Sequence, residues 1–155
     1  MQRLMDSINQ TLQHKLLSLE SFLNQITNGF YSIAEEIDNT NLKTAMIAVA
    51  IECKQYAQEI CNQLHEYNIS IPTACNNQIW EKIEENISTH TSLARGDEIA
   101  TLCNNCEMYF SVLYQAVLKE HFPYKNLKDI ISYQLYAIQC AFMKIRLLNT
   151  LRFNQ

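Results

Sequence analysis

The segment Leu102 to Phe110 reads LCNNCEMYF, with Cys103 and Cys106 three residues apart and Glu107 directly behind them. Two thiols and a carboxylate at that spacing could ligate a metal, exchange disulfides, or pack. A structural zinc site needs four ligands, from two such pairs or from one pair and two nearby histidines. The chain holds no second CxxC, and Cys53 and Cys61 are eight residues apart, roughly 12 Å along a helix and too far to share an ion. Dithiol oxidoreductases place the first cysteine at a helix N-terminus, where backbone N–H groups and the dipole lower its pKa. Here Cys103 falls about six residues past Asp97, the expected cap of its helix, and no strand precedes it. The sulfurs share the apolar side with Ile99, Leu102 and Phe110 while Asn104 and Asn105 point outward, so packing is the expected role.

Glu107 stacks at helical spacing with Cys103, Phe110 and Tyr114, which puts it on the flank of the core. A partly buried carboxylate needs a donor or its pKa rises. Tyr114 is too far along the axis, so the expected partner lies on another helix, with Tyr56, Gln134 and Tyr133 as candidates. The expected role is a polar contact that fixes helix register.

A di-iron centre in a helical bundle takes a Glu from each of two helices and a Glu-x-x-His pair from each of the other two. No Glu here has His three positions later: Glu52 is followed by Gln55, Glu59 by Asn62, Glu107 by Phe110 and Glu120 by Pro123. His14, His65, His90 and His121 stand outside the middles of the apolar stripes, where solvated or capping roles are expected. No glycine-rich loop cradles phosphate, no serine stands in a nucleophile turn, and no His and Cys share a suggestive context. No catalytic residue and no cofactor are expected; the metal candidates are Glu107, Glu59, Cys103 and Cys106.

These groups need long helices to position them, and the composition provides for that. The 155 residues include only two glycines and two prolines, with 48% hydrophobic and 18% charged residues, which favours uninterrupted helix in a chain of one-domain size. The net charge of −4 has no basic run behind it, so neither nucleic acid nor an anionic membrane is an expected partner. The opening MQRLMDSINQTLQHKLL lacks an apolar core and a small-residue cleavage site, and no run approaches eighteen apolar residues. A cytoplasmic protein is expected, its six cysteines mostly reduced and buried, which leaves the sequons at Asn9, Asn68 and Asn86 without weight.

Apolar residues at Leu19, Phe22, Leu23, Ile26, Phe30, Ile33 and Ile37 recur at three and four, the mark of one helical face. A polar turn at residues 38–41 offers caps for a second helix carrying Leu42, Met46, Ile47, Ala50, Cys53, Ala57, Ile60, Cys61 and Leu64, which is expected to stop near Tyr67 ahead of Pro72. A shorter amphipathic stretch from Asn77 to about Thr91 places Ile79, Trp80, Ile83 and Ile87 on one side. A third long helix follows to about Glu120, with Leu113 and Val117 continuing its stripe. The fourth runs from about Asn126 to Leu151, with Leu127, Ile131, Gln134, Ile138, Phe142, Ile145 and Leu148 facing in. The expected organisation is an N-terminal helical segment at 1–15, with Leu4, Met5, Ile8 and Leu12 as a weak stripe, then one all-α, antiparallel four-helix-bundle domain at 16–152.

The fragments LNQITNGFYSIAEEI, LKTAMIAVAIECKQYAQEICNQL, IWEKIEEN, LCNNCEMYFSVLYQAV and YQLYAIQCAFMKIRLL, in that order, resemble a family of ferritin-like four-helix-bundle proteins, uncharacterised bacterial proteins filed as a domain of unknown function. The resemblance covers about residues 16 to 151. It implies an antiparallel bundle with a short helix inserted between the second and third long helices. Gly29-Phe30 matches a Gly-Phe in the family's first helix. Gln55-Tyr56-Ala57 with Glu59-Ile60 matches an aromatic-then-Glu fragment in the second, and Cys103 through Glu107 a Cys-to-Glu fragment in the third. Acidic residues expected before the Gly-Phe are Thr27 and Asn28 here, and a histidine expected in the fourth helix is Phe142. Both changes remove ligands.

Three functions follow as expectations. The preferred one is a non-enzymatic bundle acting through protein contacts, as a homodimer, because Tyr133, Tyr136, Met143 and Leu147 sit off the fourth helix's inward stripe and form a partner face. The second is a ferritin-like metal-binding or stress-related protein with an irregular carboxylate site around Glu107 and Glu59. The third is a thiol-based sensor using Cys103 and Cys106.

Overall fold

Asn9 starts the first helix: its Oδ1 accepts a hydrogen bond from the Leu12 N–H at 2.8 Å, satisfying one of the amides that a helix start leaves open. From there α1 (Gln10–Ala34) runs without a break. In the computed structural model, which describes residues 8–70, 79–84 and 97–151, it is followed by α2 (Thr40–Glu66), α3 (Ile79–Glu84), α4 (Asp97–Leu118) and α5 (Lys125–Leu151). The described residues contain no strand. None of their helices is long and apolar enough to cross a membrane.

The boundary expected at residue 15 corresponds to no break in α1. Leu12 and Leu16 are fully buried in the same stripe as Leu19 and Leu23, and each such side chain contributes about 1.5–3 kcal/mol by leaving water. Lys15 ties this end to α4, reaching the Glu120 carboxylate at 2.7 Å and the Ala116 carbonyl at 3.3 Å. Ile8 joins the core, while Leu4 and Met5 lie outside the described residues.

Of the three asparagine and threonine oxygens near the second helix start, Asn39 is the cap, its Oδ1 accepting from the Leu42 N–H at 3.0 Å. At the other end Asn68 takes the left-handed conformation, φ 62°, which asparagine tolerates better than most residues. The Ile69 N–H then reaches the Leu64 carbonyl and the Asn68 N–H the His65 carbonyl, the paired closing bonds of a Schellman stop. The helix ends where expected, at Asn68, the first residue of the breaker cluster Asn68–Pro72, of which Ile71 and Pro72 lie outside the described residues.

The long helices pack in a ring: α1 on α2, α2 on α5, α5 on α4 and α4 on α1. The direction of each pair follows from contacts near its ends. Lys15 meets Glu120 while Phe22 meets Phe110, so α1 and α4 are antiparallel. Gln134 bonds Glu59, and Lys144 shares a groove with Ala45, so α2 and α5 are antiparallel too. The connection from α2 to α4 therefore travels the length of the molecule, and α3 within it covers the seam between α1 and α4. The Trp80 indole lies on Gly29, where any Cβ would overlap the ring. The Trp80 N–H donates to Gln25 Oε1 at 2.9 Å. Ile83 is buried beneath α3, and the remainder of the expected 77–91 stretch, Ile87 included, lies outside the described residues.

Phenyl rings fill the middle. Phe22 and Phe110 stand 4.8 Å apart, Phe110 and Phe142 5.6 Å, and Phe142 meets Phe30 edge-on at 5.8 Å, within the range where aromatic pairs attract beyond simple burial. The expected inward stripes are buried almost throughout, with Ile47, Cys61, Leu113 and Leu148 only half so.

Candidate functional site

Glu107 forms an ion pair with Arg146 of α5. This corrects the expected partners, because neither Tyr56 nor Gln134 nor Tyr133 reaches it. Both side chains keep partial access to solvent, so the pair contributes less than about 1 kcal/mol. Arg146 was missed because it sits on the flank of α5, off both the inward stripe and the outward one. As the only arginine of α5, it carried the signal that would have found the pair.

The buried polar centre is elsewhere. Gln134 is fully buried; its Oε1 accepts from the Tyr114 hydroxyl at 2.8 Å, and its Nε2 donates to Glu59 Oε1 at 2.9 Å and, less closely, to the Tyr56 carbonyl at 3.4 Å. One amide thus links α2, α4 and α5. Burial raises the Tyr114 hydroxyl pKa well above its ordinary value, which keeps the proton it donates. One turn before Glu59, the Tyr56 hydroxyl donates to Glu52 Oε2 at 2.8 Å. Its pKa is raised too, by burial first and then by that carboxylate.

The structure does not bring Glu59 and Glu107 together. The α5 residues that hold them, Gln134 and Arg146, are twelve positions apart, roughly 18 Å along a helix. Among the described residues, no three His, Cys, Asp or Glu side chains converge as metal ligands. Thr27, where the resembled family leads one to expect an acid, faces α2 with its Oγ1 on the Leu23 and Ala50 carbonyls. Phe142, in the histidine's place, belongs to the stack of rings. His14, His65 and His121 are exposed, and His90 lies outside the described residues.

Cys103 and Cys106 are both buried, with Cys53 of α2 close enough to influence Cys106. Burial pushes Cys103 up to about 12, against the opposing pull of the Arg146 charge. Burial and the neighbouring thiols raise Cys106 well above the ordinary thiol value. Nucleophilic exchange requires thiolate, and at neutral pH these groups hold almost none. The half-buried Cys61 is pushed up to about 11, by burial and then by Glu20, whose carboxylate accepts from its Sγ at 3.5 Å. Cys140 is exposed.

The surface between α2 and α5 is concave. A groove of about 550 Å³ runs past Ala45, Ala48, Glu52, Tyr136, Cys140 and Lys144, and a second hollow of about 420 Å³ lies past Glu59, Asn62, Asp129 and Ile130. Tyr133 lines both. Along the ridge of α5 beside the groove, Tyr133, Tyr136, Met143 and Leu147 are 63%, 67%, 62% and 59% exposed, as their spacing led one to expect. Comparison with protein-family models, with curated proteins and with solved structures finds no match to this chain.

Proposed function

We propose that this chain is a non-enzymatic, ferritin-like helical bundle without the di-metal ligand set, acting by protein contact through the outer side of α5. Two helical hairpins joined by one long crossover is the connectivity that ferritin-like folds use. Phe142 and Thr27, which stand where the resemblance leads one to expect metal ligands, are engaged in packing and in a backbone hydrogen bond. The observation that carries the reading is the line of large apolar side chains exposed on α5, since contiguous apolar surface of this kind marks an interaction site.

The test is a photo-reactive residue introduced at Met143, with the same probe at exposed Lys128 on the helix flank as control. A discrete cross-linked species from Met143 alone is expected when the protein is made in its own cell. No product from Met143, or equal products from both positions, would sink the reading. The metal-binding alternative would need Glu59 and Glu107 to act apart. Stoichiometric iron, manganese or zinc in protein purified without chelator, lost in Glu107→Gln, would favour it instead.

A further inference from the structure

Helix α5 is apolar on two opposite sides. Its inner side, with Leu127, Ile131, Ile138, Phe142 and Ile145, closes the core. Its outer side carries Tyr133, Tyr136, Cys140, Met143 and Leu147 at steps of three, four, three and four, an arc of about 80° at 3.6 residues per turn. A stripe that faces a globular core is broader than this, whereas the narrow three-four alternation is the seam of a helix that meets one other helix.

We propose that this seam pairs with the same seam of a second copy, antiparallel, about a two-fold axis at Cys140. The proposal rests on the contact reading above and names its partner. At roughly 200 Å² for a large side chain, the exposures of the four big residues leave about 500 Å² of apolar surface per copy, at the upper end for a monomer's largest patch. Doubled by symmetry and rimmed by Glu52, Gln55 and Lys144 along the groove, the contact buries about 1,000 Å², where specific interfaces begin.

Shape and charge both select the antiparallel arrangement. About Cys140, Tyr133 faces the partner's Leu147 and Tyr136 faces the partner's Met143 and Lys144, so wide rings meet slim chains and the layers interlock. A parallel pairing would stack tyrosine on tyrosine and Lys144 on its own copy. The bonds from Gln134 to Glu59 and Tyr56 fix the register of α2 on α5 and place Glu52 beside Cys140, about one turn from Lys144. Reversal of the second copy carries each Lys144 away from its own counterpart and to the level of the partner's Tyr136, where cation–π attraction acts.

Light scattering on the purified full chain across micromolar concentrations is expected to give twice the 18.1 kDa of one copy. Tyr136→Glu combined with Met143→Glu is expected to weaken association on the order of 100-fold or more, with the helical circular dichroism signal retained. Met108→Glu, on an exposed site of α4, is expected to remain dimeric. In a Cys140→Ser background, Tyr133→Cys with Leu147→Cys is expected to give disulfides between position 133 of one copy and 147 of the other. A monomeric wild type, a dimer indifferent to the paired glutamates, or cross-links joining 133 to 133 would each overturn the arrangement. A monomer whose Met143 probe still captures a different protein overturns self-pairing and leaves the contact reading standing. A monomer with no Met143 cross-link overturns both.

Discussion

Removing the Tyr114 hydroxyl by Tyr114→Phe strands the Oε1 of Gln134, which is fully buried and has no water to turn to. A buried acceptor left without its donor costs about 2 kcal/mol, or about 4–8 °C in Tm for a domain of this size. Gln134→Leu strands the Tyr114 hydroxyl in turn and costs about the same, because the freed Glu59 carboxylate sits at the mouth of a surface hollow that water can enter. The double variant leaves no stranded partner, so it is expected to cost no more than about 1 kcal/mol rather than about 4, a coupling of about 3 kcal/mol. Urea unfolding followed by circular dichroism, on all four corners of the cycle, measures it. Costs that add to within about 0.5 kcal/mol would refute the claim that this amide is one shared contact among three helices.

Four further outcomes follow from the same packing. Gly29→Ala gains about 1 kcal/mol of helix propensity but drives a Cβ into the Trp80 indole; the net effect expected is destabilisation, with emission from the sole tryptophan moving to the red as α3 lifts. Glu107→Gln breaks a partly exposed ion pair and is expected to change stability by less than about 1 kcal/mol, the difference shrinking in high salt. Cys53, Cys103 and Cys106 have folded pKa values raised above the ordinary 9.0, so their contribution is intact below pH 9 and lost as pH climbs past it. Stability should fall by up to about 1.4 kcal/mol per buried thiol for each pH unit above 9, and less steeply in Cys106→Ala. Peptide-resolved alkylation at neutral pH should modify Cys140 first and those three only on unfolding; rapid labelling of Cys103 in the native state would overturn their assignment to packing.

The stripes of all four long helices were legible because period-3.6 burial writes itself directly into residue order, and Gln134 was legible as an inward polar residue. The start of α1 was legible but misread: Leu12, Leu16 and Leu19 keep the three-and-four spacing across residue 15, and the structure adds the contacts of Lys15 with Glu120 and the Ala116 carbonyl that hold this end in place. Sequence placed Glu107 on a core flank but mistook its partner. Which residue of α5 lies opposite depends on the axial register of two helices, and no single-helix pattern encodes that. The same limit hid the approach of Cys53 to Cys106 and the reason for Gly29, which only the docked indole explains. The outward line on α5 was legible as soon as the inward one was known, because Tyr133, Tyr136, Met143 and Leu147 are what remains apolar on that helix after the core is assigned.

That line is the centre of the account, and Met143 reports on it directly. Met108 on α4 is similarly exposed in the isolated chain, 52% against 62%, and provides an internal reference. The measurement is the ratio of their oxidation rates under brief peroxide treatment, in the producing cell and in purified protein diluted until its mass is that of one copy. Protein contact at α5 predicts that Met143 is protected several-fold relative to Met108 in the cell and that the two become alike on dilution. Equal ratios in both settings would contradict the claim that the outer side of α5 is the working surface.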